Sequence, residues 1–417
     1  MEKELFRAII AENQEYIGRI PLVQRPLDLE EYGNYVFVGV RQAGKSYLLY
    51  QRIQQLLANG VDIENIVYVN FDDERLQGMS VTDFDLILQA YHSMYDSQPI
   101  FFFDEIQNVE GWANFARRLA NQKYRVYITG SNAKMLSRDI ETVLGGRYLD
   151  ISVFPYSFSE YLKAVGVAVT KNWQYGRKAN ELQRHFRTYF DWGGFPELVH
   201  FQEKRVWLNS LYNRIFFNDL VVRHKVKNED ALRLCVRRLA ESVKQPCSLN
   251  RLSNLIKATG TPCSPSTVME YVRYLQESCL LISIDNYASK FVEKETIKKH
   301  YFVDNGLLHL FINNPNTSLL ENLCAITLYK KYSKGLYYYN RNIEVDFYVP
   351  DEGLAVQASY QMSDEETIER EVKALVTLHG LYPLKRAMII TYEDEGEIVR
   401  DGLKIEIRPA WKWVLEG

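Results

Sequence analysis

The sequence lacks the features of a secreted, membrane-spanning or zinc-binding protein. Charged residues recur every few positions in its first segment, without the apolar core of a signal peptide, and apolar runs such as residues 100–103 are far too short to cross a bilayer. The five cysteines contain no CxxC pair, and the seven histidines contain no HExxH motif. These absences predict a cytoplasmic protein with no membrane partner, with reduced thiols and without a dedicated zinc site.

The sequence also has no excess of basic charge, no internal repeat and no low-complexity linker. Its formal net charge is −3, so any contact with nucleic acid must come from a local patch. Its 417 residues are 47% hydrophobic and 25% charged, which is typical of globular domains with apolar cores. A chain of this length is expected to form about two to four domains.

Short apolar strands alternate with helical stretches in the first 160 residues. The predicted strands are residues 35–40, 66–71, 99–106, 125–131 and 148–154. Continuously apolar strands that are separated by helices indicate a parallel sheet covered on both faces. The expected fold class is therefore α/β.

The first predicted strand leads into a phosphate-binding loop. Residues 39–46 read GVRQAGKS and match GxxxxGK[ST] between a strand and a helix, as this P-loop motif requires. Backbone N–H groups and the helix N-terminus are expected to surround the phosphates of ATP, while Lys45 reaches the β- and γ-phosphates and Ser46 binds Mg²⁺. The residues of this segment that are predicted to bind the nucleotide are Gly39, Arg41, Gln42, Ala43, Gly44, Lys45, Ser46 and Tyr47.

Two acids end the predicted strand at residues 99–106. Four apolar residues bring Asp104 to the carboxyl edge of the sheet, where ligands bind in open α/β folds. Asp104 is expected to hold Mg²⁺ and its water shell, and Glu105 to polarise the water that attacks the γ-phosphate. With the P-loop, this pair predicts an ATPase that converts ATP to ADP and phosphate.

Small polar residues end the predicted strand at residues 125–131. Ser131 and Asn132 have two interpretations. In the first they lie between the γ-phosphate and the attacking water and sense which nucleotide is bound. In the second they form the N-cap of the next helix.

The order of these motifs resembles a known family. The P-loop, the Asp-Glu strand, ITGSN (128–132), LGGRY (144–148), FPYSFSEYL (154–162) and WGGFPE (192–197) follow one another as in a large family of prokaryotic AAA-type ATPases, similar to the archaeal ATPase clade. Its members carry a C-terminal domain of unknown function with a restriction-endonuclease-like fold. The resemblance implies an AAA-type ATPase core at 1–160, a helical lid or connector at 161–230, a winged-helix-like domain at 231–312 and a degenerate endonuclease-like α/β domain at 313–417.

The resemblance also implies a role for an arginine. Arg147 lies in the segment that matches the family's conserved arginine, which implies a catalytic contact with the γ-phosphate, either in its own chain or in a neighbouring subunit of a homo-oligomer. Considered from the residues alone, an arginine just before a strand is more often a solvated surface charge.

Residues 231–312 suggest a surface for DNA. Three predicted helices precede a β-rich segment, and KKHYFVDNGL (298–307) matches the strand that follows the family's winged-helix-like region. The block holds eleven lysines and arginines against seven acids, which favours weak, sequence-independent contact with DNA phosphates. Four of the lysines fall in or beside a loop between two predicted strands: Lys290, Lys294, Lys298 and Lys299. The alternative is a regulatory ATPase whose C-terminal domains bind a protein partner without DNA.

The resemblance further implies an endonuclease-like site after residue 313. Glu321, Asp346 and Gln357 occupy the positions of a helix acid, a strand aspartate and the first residue of (E/Q)xK. Ser359 stands where that motif requires a lysine, whose charge would stabilise the reaction or orient a water. We therefore expect a degenerate site without nuclease activity, with Lys373 as the nearest lysine in sequence that could replace the missing one.

Asp346 itself is unusual because it lies on an otherwise apolar predicted strand. An unpaired buried carboxylate is costly, so Asp346 is expected either to be the relic of a metal site or to pair with a cation such as Arg341 or Lys330.

Overall fold

The structure, a computed structural model, describes residues 1–136 and 142–416. The chain divides into two compact units. The first contains Met1–Phe154 and Glu277–Cys279, and the second contains Pro155–Gln276 and Leu280–Gly417. Within the described residues, no helix is both long enough and apolar enough to span a membrane.

The first unit is built on a five-stranded parallel sheet with the order β2-β3-β4-β1-β5. Its strands are β1 (Tyr35–Val38), β2 (Ile66–Asn70), β3 (Ile100–Asp104), β4 (Arg125–Gly130) and β5 (Leu149–Ser152). The expected α/β class with a parallel sheet is confirmed. Because all five strands run in the same direction, the loops that follow β1, β3 and β4 emerge at one edge of the sheet.

Helices cover both faces of this sheet. They include α1 (Lys3–Tyr16), α2 (Lys45–Ala58), α3 (Phe84–His92) and α4 (Trp112–Asn121), with 3-10 helices at Ile17–Arg19, Ile63–Asn65, Glu74–Leu76, Val81–Asp83, Ile106–Asn108 and Ala133–Leu136. Alternate strand residues, such as Phe101 and Phe103, join one buried cluster with side chains of α1, α3 and α4. This alternation follows from the period of two along a strand.

The second unit contains a nine-stranded mixed sheet with the order β13-β14-β12-β11-β10-β9-β7-β8-β6. Its strands are β6 (Cys247–Ser248), β7 (Leu281–Asn286), β8 (Ile297–Phe302), β9 (Tyr337–Asn340), β10 (Glu344–Val349), β11 (Leu354–Ala358), β12 (Arg386–Thr391), β13 (Gly396–Arg400) and β14 (Leu403–Pro409). The expected boundary between residues 312 and 313 falls inside this unit. Strands from both sides of it share one sheet, because β7 pairs in parallel with β9.

Helices of the second unit fall before, between and after these strands. They include α5 (Phe158–Ala164), α6 (Gly176–Trp192), α7 (Lys204–Arg214), α8 (Glu229–Glu241), α9 (Leu249–Lys257), α10 (Pro265–Glu277), α11 (Phe291–Thr296), α12 (Asn305–His309), α13 (Asn316–Tyr332), α14 (Glu365–Leu381) and α15 (Ala410–Glu416). A π-helix, Ile215–Val222, continues α7, and 3-10 helices occupy Pro196–His200 and Ser333–Gly335. Residues 291–296, expected to be loop, form α11.

A buried aspartate joins two of the sequence motifs within the second unit. Asp304 accepts hydrogen bonds from the backbone N–H of Gly194 (2.8 Å) and of Gly306 (2.8 Å). Burial raises its pKa to about 6, although these backbone donors oppose the shift. The glycines are needed for space: a Cβ on Gly193 would lie 1.9 Å from the Asp304 carboxylate, and a Cβ on Gly194 would lie 2.1 Å from the carbonyl oxygen of Tyr156.

We predict that Gly194→Ala destabilises the second unit by about 2 kcal/mol or more, because its Cβ would collide with a backbone atom that cannot move independently. Urea unfolding of the full chain, followed by tryptophan fluorescence, measures the change. Gly380→Ala in α14 is the matched control: a Cβ there meets nothing within 4 Å, so it should be neutral or stabilising by about 0.5–1 kcal/mol. Equal midpoints for Gly194→Ala and the wild type would contradict this account of the motif.

Candidate nucleotide-binding site

The P-loop connects β1 to α2 through strained backbone positions. Gln42 and Gly44 both adopt left-handed conformations, with φ of 62° and 92°. Gly39 approaches the residue that follows β5 so closely that a Cβ would lie 2.0 Å from the carbonyl oxygen of Val153. The Nζ of Lys45 donates to the carbonyl oxygens of Gly39 and Val40, each at 3.2 Å, so the lysine is folded back into its own loop.

Asp104 lies at the end of β3, fully enclosed by hydroxyl groups. Tyr68 donates to its Oδ2 at 2.8 Å, Thr129 donates to its Oδ1, and the Ser46 hydroxyl also hydrogen-bonds the carboxylate. Burial raises the pKa of Asp104, with a further contribution from the neighbouring Glu105, and the three hydroxyls oppose the shift. Ser46 and Asp104, the predicted Mg²⁺ ligands, therefore meet, and their oxygens are the donors that Mg²⁺ prefers.

Glu105 leaves the strand in a left-handed turn, with φ of 51°. Its backbone N–H donates to the Thr129 hydroxyl at 3.0 Å, and its side chain meets Lys45 at 3.4 Å and the Gln107 amide at 2.5 Å. Burial raises the pKa of Glu105, but Lys45, Gln107 and other nearby donors outweigh burial and hold the pKa below its ordinary value. The carboxylate is therefore ionised at neutral pH, as a residue that orients a water must be.

Most of the other predicted nucleotide-binding residues lie near Glu105 or in the P-loop, and Tyr47 does not. Ser131 is buried next to Glu105, to which its hydroxyl hydrogen-bonds, and Asn132 follows it at the same edge of the sheet. Ala43 is buried in the P-loop and Arg41 acts electrostatically on Glu105. Tyr47 is 52% exposed on α2, so its side chain lies outside this cluster.

Arg147 lies away from the cluster. It precedes β5, whose first residue pairs with the first residue of β1, so it lies at the amino edge of the sheet, whereas the P-loop lies at the carboxyl edge. Its side chain is exposed and donates to the carbonyl oxygen of Gly145 at 3.0 Å. A contact with the γ-phosphate in the same chain is incompatible with this placement, which leaves the neighbouring-subunit role as a prediction.

Three side chains of this site were not found from the sequence. Thr129 hydrogen-bonds the Asp104 carboxylate and the Glu105 backbone N–H. Tyr68 donates to Asp104, and Gln107 donates to Glu105. Thr129 belongs to ITGSN, where a hydroxyl on an apolar strand was a usable signal. Tyr68 and Gln107 gave none, because their contacts depend on strand register and on the turn after β3.

In the second unit the residues of the predicted degenerate nuclease site also come together, and they meet Lys299, which the sequence had suggested for DNA contact instead. The Nζ of Lys299 on β8 lies 3.1 Å from Glu321 on α13 and 3.0 Å from Asp346 on β10. Gln357 on β11 accepts a hydrogen bond from the backbone N–H of Asp346 at 2.8 Å. The partner of Asp346 is therefore Lys299 rather than the expected Arg341 or Lys330.

These positions define a P-loop nucleotide-binding site in the first unit: a strand–loop–helix with its lysine and serine, facing an Asp-Glu pair at the carboxyl edge of a parallel sheet.

Comparison with known proteins supports an AAA domain in the first unit. Residues 32–162 match the AAA domain family, and residues 183–318 match a domain of unknown function, DUF8612. Uncharacterized protein MJ1544 of Methanocaldococcus jannaschii is 31% identical over 434 residues, which cover 99% of this chain and 96% of the relative. An uncharacterized protein of Haemophilus influenzae is 30% identical over 394 residues, which cover 91% of this chain and 94% of the relative. The chain therefore belongs to the family that these archaeal and bacterial proteins represent, and its residues 32–162 carry an AAA domain.

Two archaeal proteins are among the solved structures that match part of this chain. A Walker-type ATPase of Pyrococcus abyssi is 11% identical, with a TM-score of 0.41, and the match covers 74% of this chain and 95% of that one. Cdc6p of Pyrobaculum aerophilum is 12% identical, with a TM-score of 0.27, and the match covers 71% and 89%. The match of residues 183–318 to a domain of unknown function does not support the endonuclease-like fold expected after residue 313.

We predict that Thr129→Val destabilises the nucleotide-free protein by about 1–3 kcal/mol, because it removes a donor from buried Asp104 and leaves the Glu105 N–H without its acceptor. Thr129→Ser keeps the hydroxyl and should lose less than half as much. Thermal unfolding of the three proteins compares them. Equal losses for valine and serine would show that the methyl group, rather than the hydroxyl, is what matters.

Proposed function

We propose that the protein hydrolyses ATP and works as a nucleotide-driven switch or motor. The observation that carries this proposal is the meeting of Lys45, Ser46, Asp104 and Glu105 at one edge of the sheet. Ser46 and Asp104 would hold Mg²⁺, which when bound would supply positive charge to offset that of the phosphates. Glu105 orients the attacking water and accepts its proton.

In this structure, Glu105 and the P-loop share one cation, the ammonium of Lys45. Lys45 donates to two loop carbonyls and pairs with the Glu105 carboxylate. The β- and γ-phosphates of ATP would compete for this ammonium, which leaves one Glu105 oxygen available to a water. Gln107 still holds the other oxygen and fixes the orientation of the carboxylate.

We expect Glu105→Gln to retain ATP affinity within about threefold and to lower hydrolysis by about two orders of magnitude or more, because the neutral amide cannot accept the proton. Titration with a fluorescent ATP analogue and a phosphate-release assay measure the two quantities. Lys45→Ala is the companion variant and should lose binding itself. Unchanged turnover in Glu105→Gln would show that Glu105 has no role in hydrolysis. Unchanged ATP affinity in Lys45→Ala would show that the P-loop lysine does not bind the nucleotide.

We further propose that the second unit contacts DNA through a helix–turn–helix formed by α9, residues 258–264 and α10. Arg251, Lys257 and Arg273 are exposed on these two helices, with β7, α11 and β8 following in the order of a winged helix. Three phosphate contacts would give weak, sequence-independent binding, with a slope of about −3 in log affinity against log salt.

The basic loop that the sequence suggested for DNA is used differently. Lys299 is fully buried among carboxylates, and Lys298 pairs with Asp285 at 2.8 Å. Lys294 lies over the ring of Tyr337, with 5.6 Å between its Nζ and the ring centroid. Lys299 faces inward because it lies on β8, whose alternate side chains enter the unit, whereas Lys290 is exposed. Reversing these four charges would therefore test folding rather than DNA binding.

We predict that the triple variant Arg251→Ala, Lys257→Ala, Arg273→Ala weakens binding of short duplex DNA at least tenfold at low salt and flattens the salt dependence. The matched control is Arg386→Ala, Arg400→Ala, Lys404→Ala, which removes three positive charges that are paired with Glu406, Glu369 and Glu397. A gel shift with and without ATP measures both variants. Equal binding by the triple variant and the wild type would exclude this surface.

Absence of DNA binding in the wild type would favour the second candidate, in which this region binds a protein partner. Exposed apolar side chains support that candidate: Met269 on α10 is 54% exposed, and Phe291 and Val292 on α11 are 79% and 72% exposed. Charges of α11 and its edges also balance, since Lys290 and Lys294 are accompanied by Glu293 and Glu295.

A further inference from the structure

A buried lysine in the second unit is surrounded by three carboxylates. The Nζ of Lys299 lies 3.1 Å from Glu321, 3.1 Å from Glu344 and 3.0 Å from Asp346, and its side chain has no exposed surface. Burial lowers the pKa of the ammonium, but the surrounding acidic groups outweigh burial and hold it well above the ordinary value. The lysine is therefore charged in the folded protein.

The acids that meet Lys299 come from elements that the sequence does not place together. Lys299 lies on β8 and Asp346 on β10, and these strands are separated by β7 and β9 in the sheet. Glu321 comes from α13. Its Oε1, the oxygen that meets Lys299, also accepts a hydrogen bond from the Tyr301 hydroxyl at 2.8 Å. The ammonium thus joins two halves of the sheet to a helix.

Gln357 contributes its amide to the backbone rather than to the centre of the cluster. Its Oε1 accepts from the backbone N–H of Asp346 at 2.8 Å, and its Nε2 donates to the carbonyl oxygen of Glu344 at 3.1 Å. The second oxygen of Asp346 accepts from the backbone N–H of Ala358 at 3.0 Å. Both functional atoms of Gln357 are therefore committed to holding β10 in place, where the pairing of β10 with β9 shifts register.

The carboxylate oxygens of this cluster are the atoms that a divalent cation would need. A metal ion binds such oxygens at about 2.0–2.6 Å, and it would have to share or displace an ammonium that already contacts all three side chains. Two cations in this space would repel each other, and the burial of Lys299 and Glu321 limits how far solvent screens their charges. Among residues 1–136 and 142–416, no group of three or more His, Cys, Asp or Glu side chains is arranged to hold a metal ion.

We propose that the ammonium of Lys299 takes the place of a divalent cation at the Glu321–Glu344–Asp346 cluster, so that this site is a metal-free ionic link and not a metallonuclease centre. The cluster opens on a cavity of about 610 Å³ whose lining includes Lys244, Arg370 and Lys373. Lys373, the lysine that the sequence suggested as a replacement, belongs to that lining, whereas Lys299 occupies the centre. The proposal is independent of ATP hydrolysis, which takes place in the first unit.

The proposal predicts that removing the ammonium creates a metal site. Equilibrium dialysis of the nucleotide-free full chain against Mn²⁺ compares the wild type, Lys299→Met, Asp346→Asn and the double variant. Lys299→Met should bind one Mn²⁺ per chain at least tenfold more tightly than the wild type, and the double variant should lose that gain. Asp346→Asn leaves the P-loop intact, so the Mn²⁺ that this variant binds gives the amount bound at the P-loop. Lys299→Arg keeps the positive charge and should gain no Mn²⁺.

Two outcomes would overturn the proposal. One is a wild type that binds one more Mn²⁺ than Asp346→Asn, or that nicks supercoiled DNA in Mn²⁺ with an activity lost in Asp346→Ala. The other is a Lys299→Met protein that gains no Mn²⁺. If Lys299→Met fails to fold in the absence of metal, it is refolded in Mn²⁺: recovery of the wild-type unfolding midpoint supports the proposal, and a failure to respond to Mn²⁺ contradicts it.

Discussion

Buried carboxylates set the constraint on which both units of this protein depend. An ionised carboxylate that loses its water must receive hydrogen bonds or a cation in return, or it takes up a proton and loses its charge. Each acid meets this requirement differently: Asp104 has three hydroxyl donors, Asp304 has backbone N–H groups, and Glu321 and Asp346 share an ammonium. The local structure around each acid follows from the partners that it needs.

In the first unit, the problem is to place two consecutive acids at one sheet edge without forcing their charges together. The left-handed turn at Glu105 solves it, because it turns the second carboxylate away from Asp104 and toward Lys45. Thr129 fixes the turn by contacting both residues from the adjacent strand. Under the proposed function the same contacts serve the chemistry, since the Lys45 ammonium can exchange its pairing with the ionised Glu105 for the phosphates of ATP.

In the second unit, motifs that identify the family serve packing. The glycines of WGGFPE leave space for the Asp304 carboxylate and for the carbonyl oxygen of Tyr156, and the aspartate of VDNG fills the first of these spaces. A shared sequence motif can therefore record a steric requirement as readily as a catalytic one. The burial of Lys299 shows the converse, since a lysine that looked like part of a DNA-binding loop neutralises internal acids.

The sequence by itself determined the P-loop, the Asp-Glu strand and the parallel α/β unit, because each depends on residues close together in the chain: glycines at tight turns, apolar runs for buried strands, and polar residues where those strands end. Strand order in the larger sheet, the separation of Arg147 from the P-loop and the pairing of Lys299 with Asp346 were decided only by the tertiary structure. These contacts join residues that are tens to hundreds of positions apart, and no local pattern specifies which strands become neighbours. A lysine next to a strand reads the same whether it faces water or a buried acid, so only the packed fold distinguishes the two.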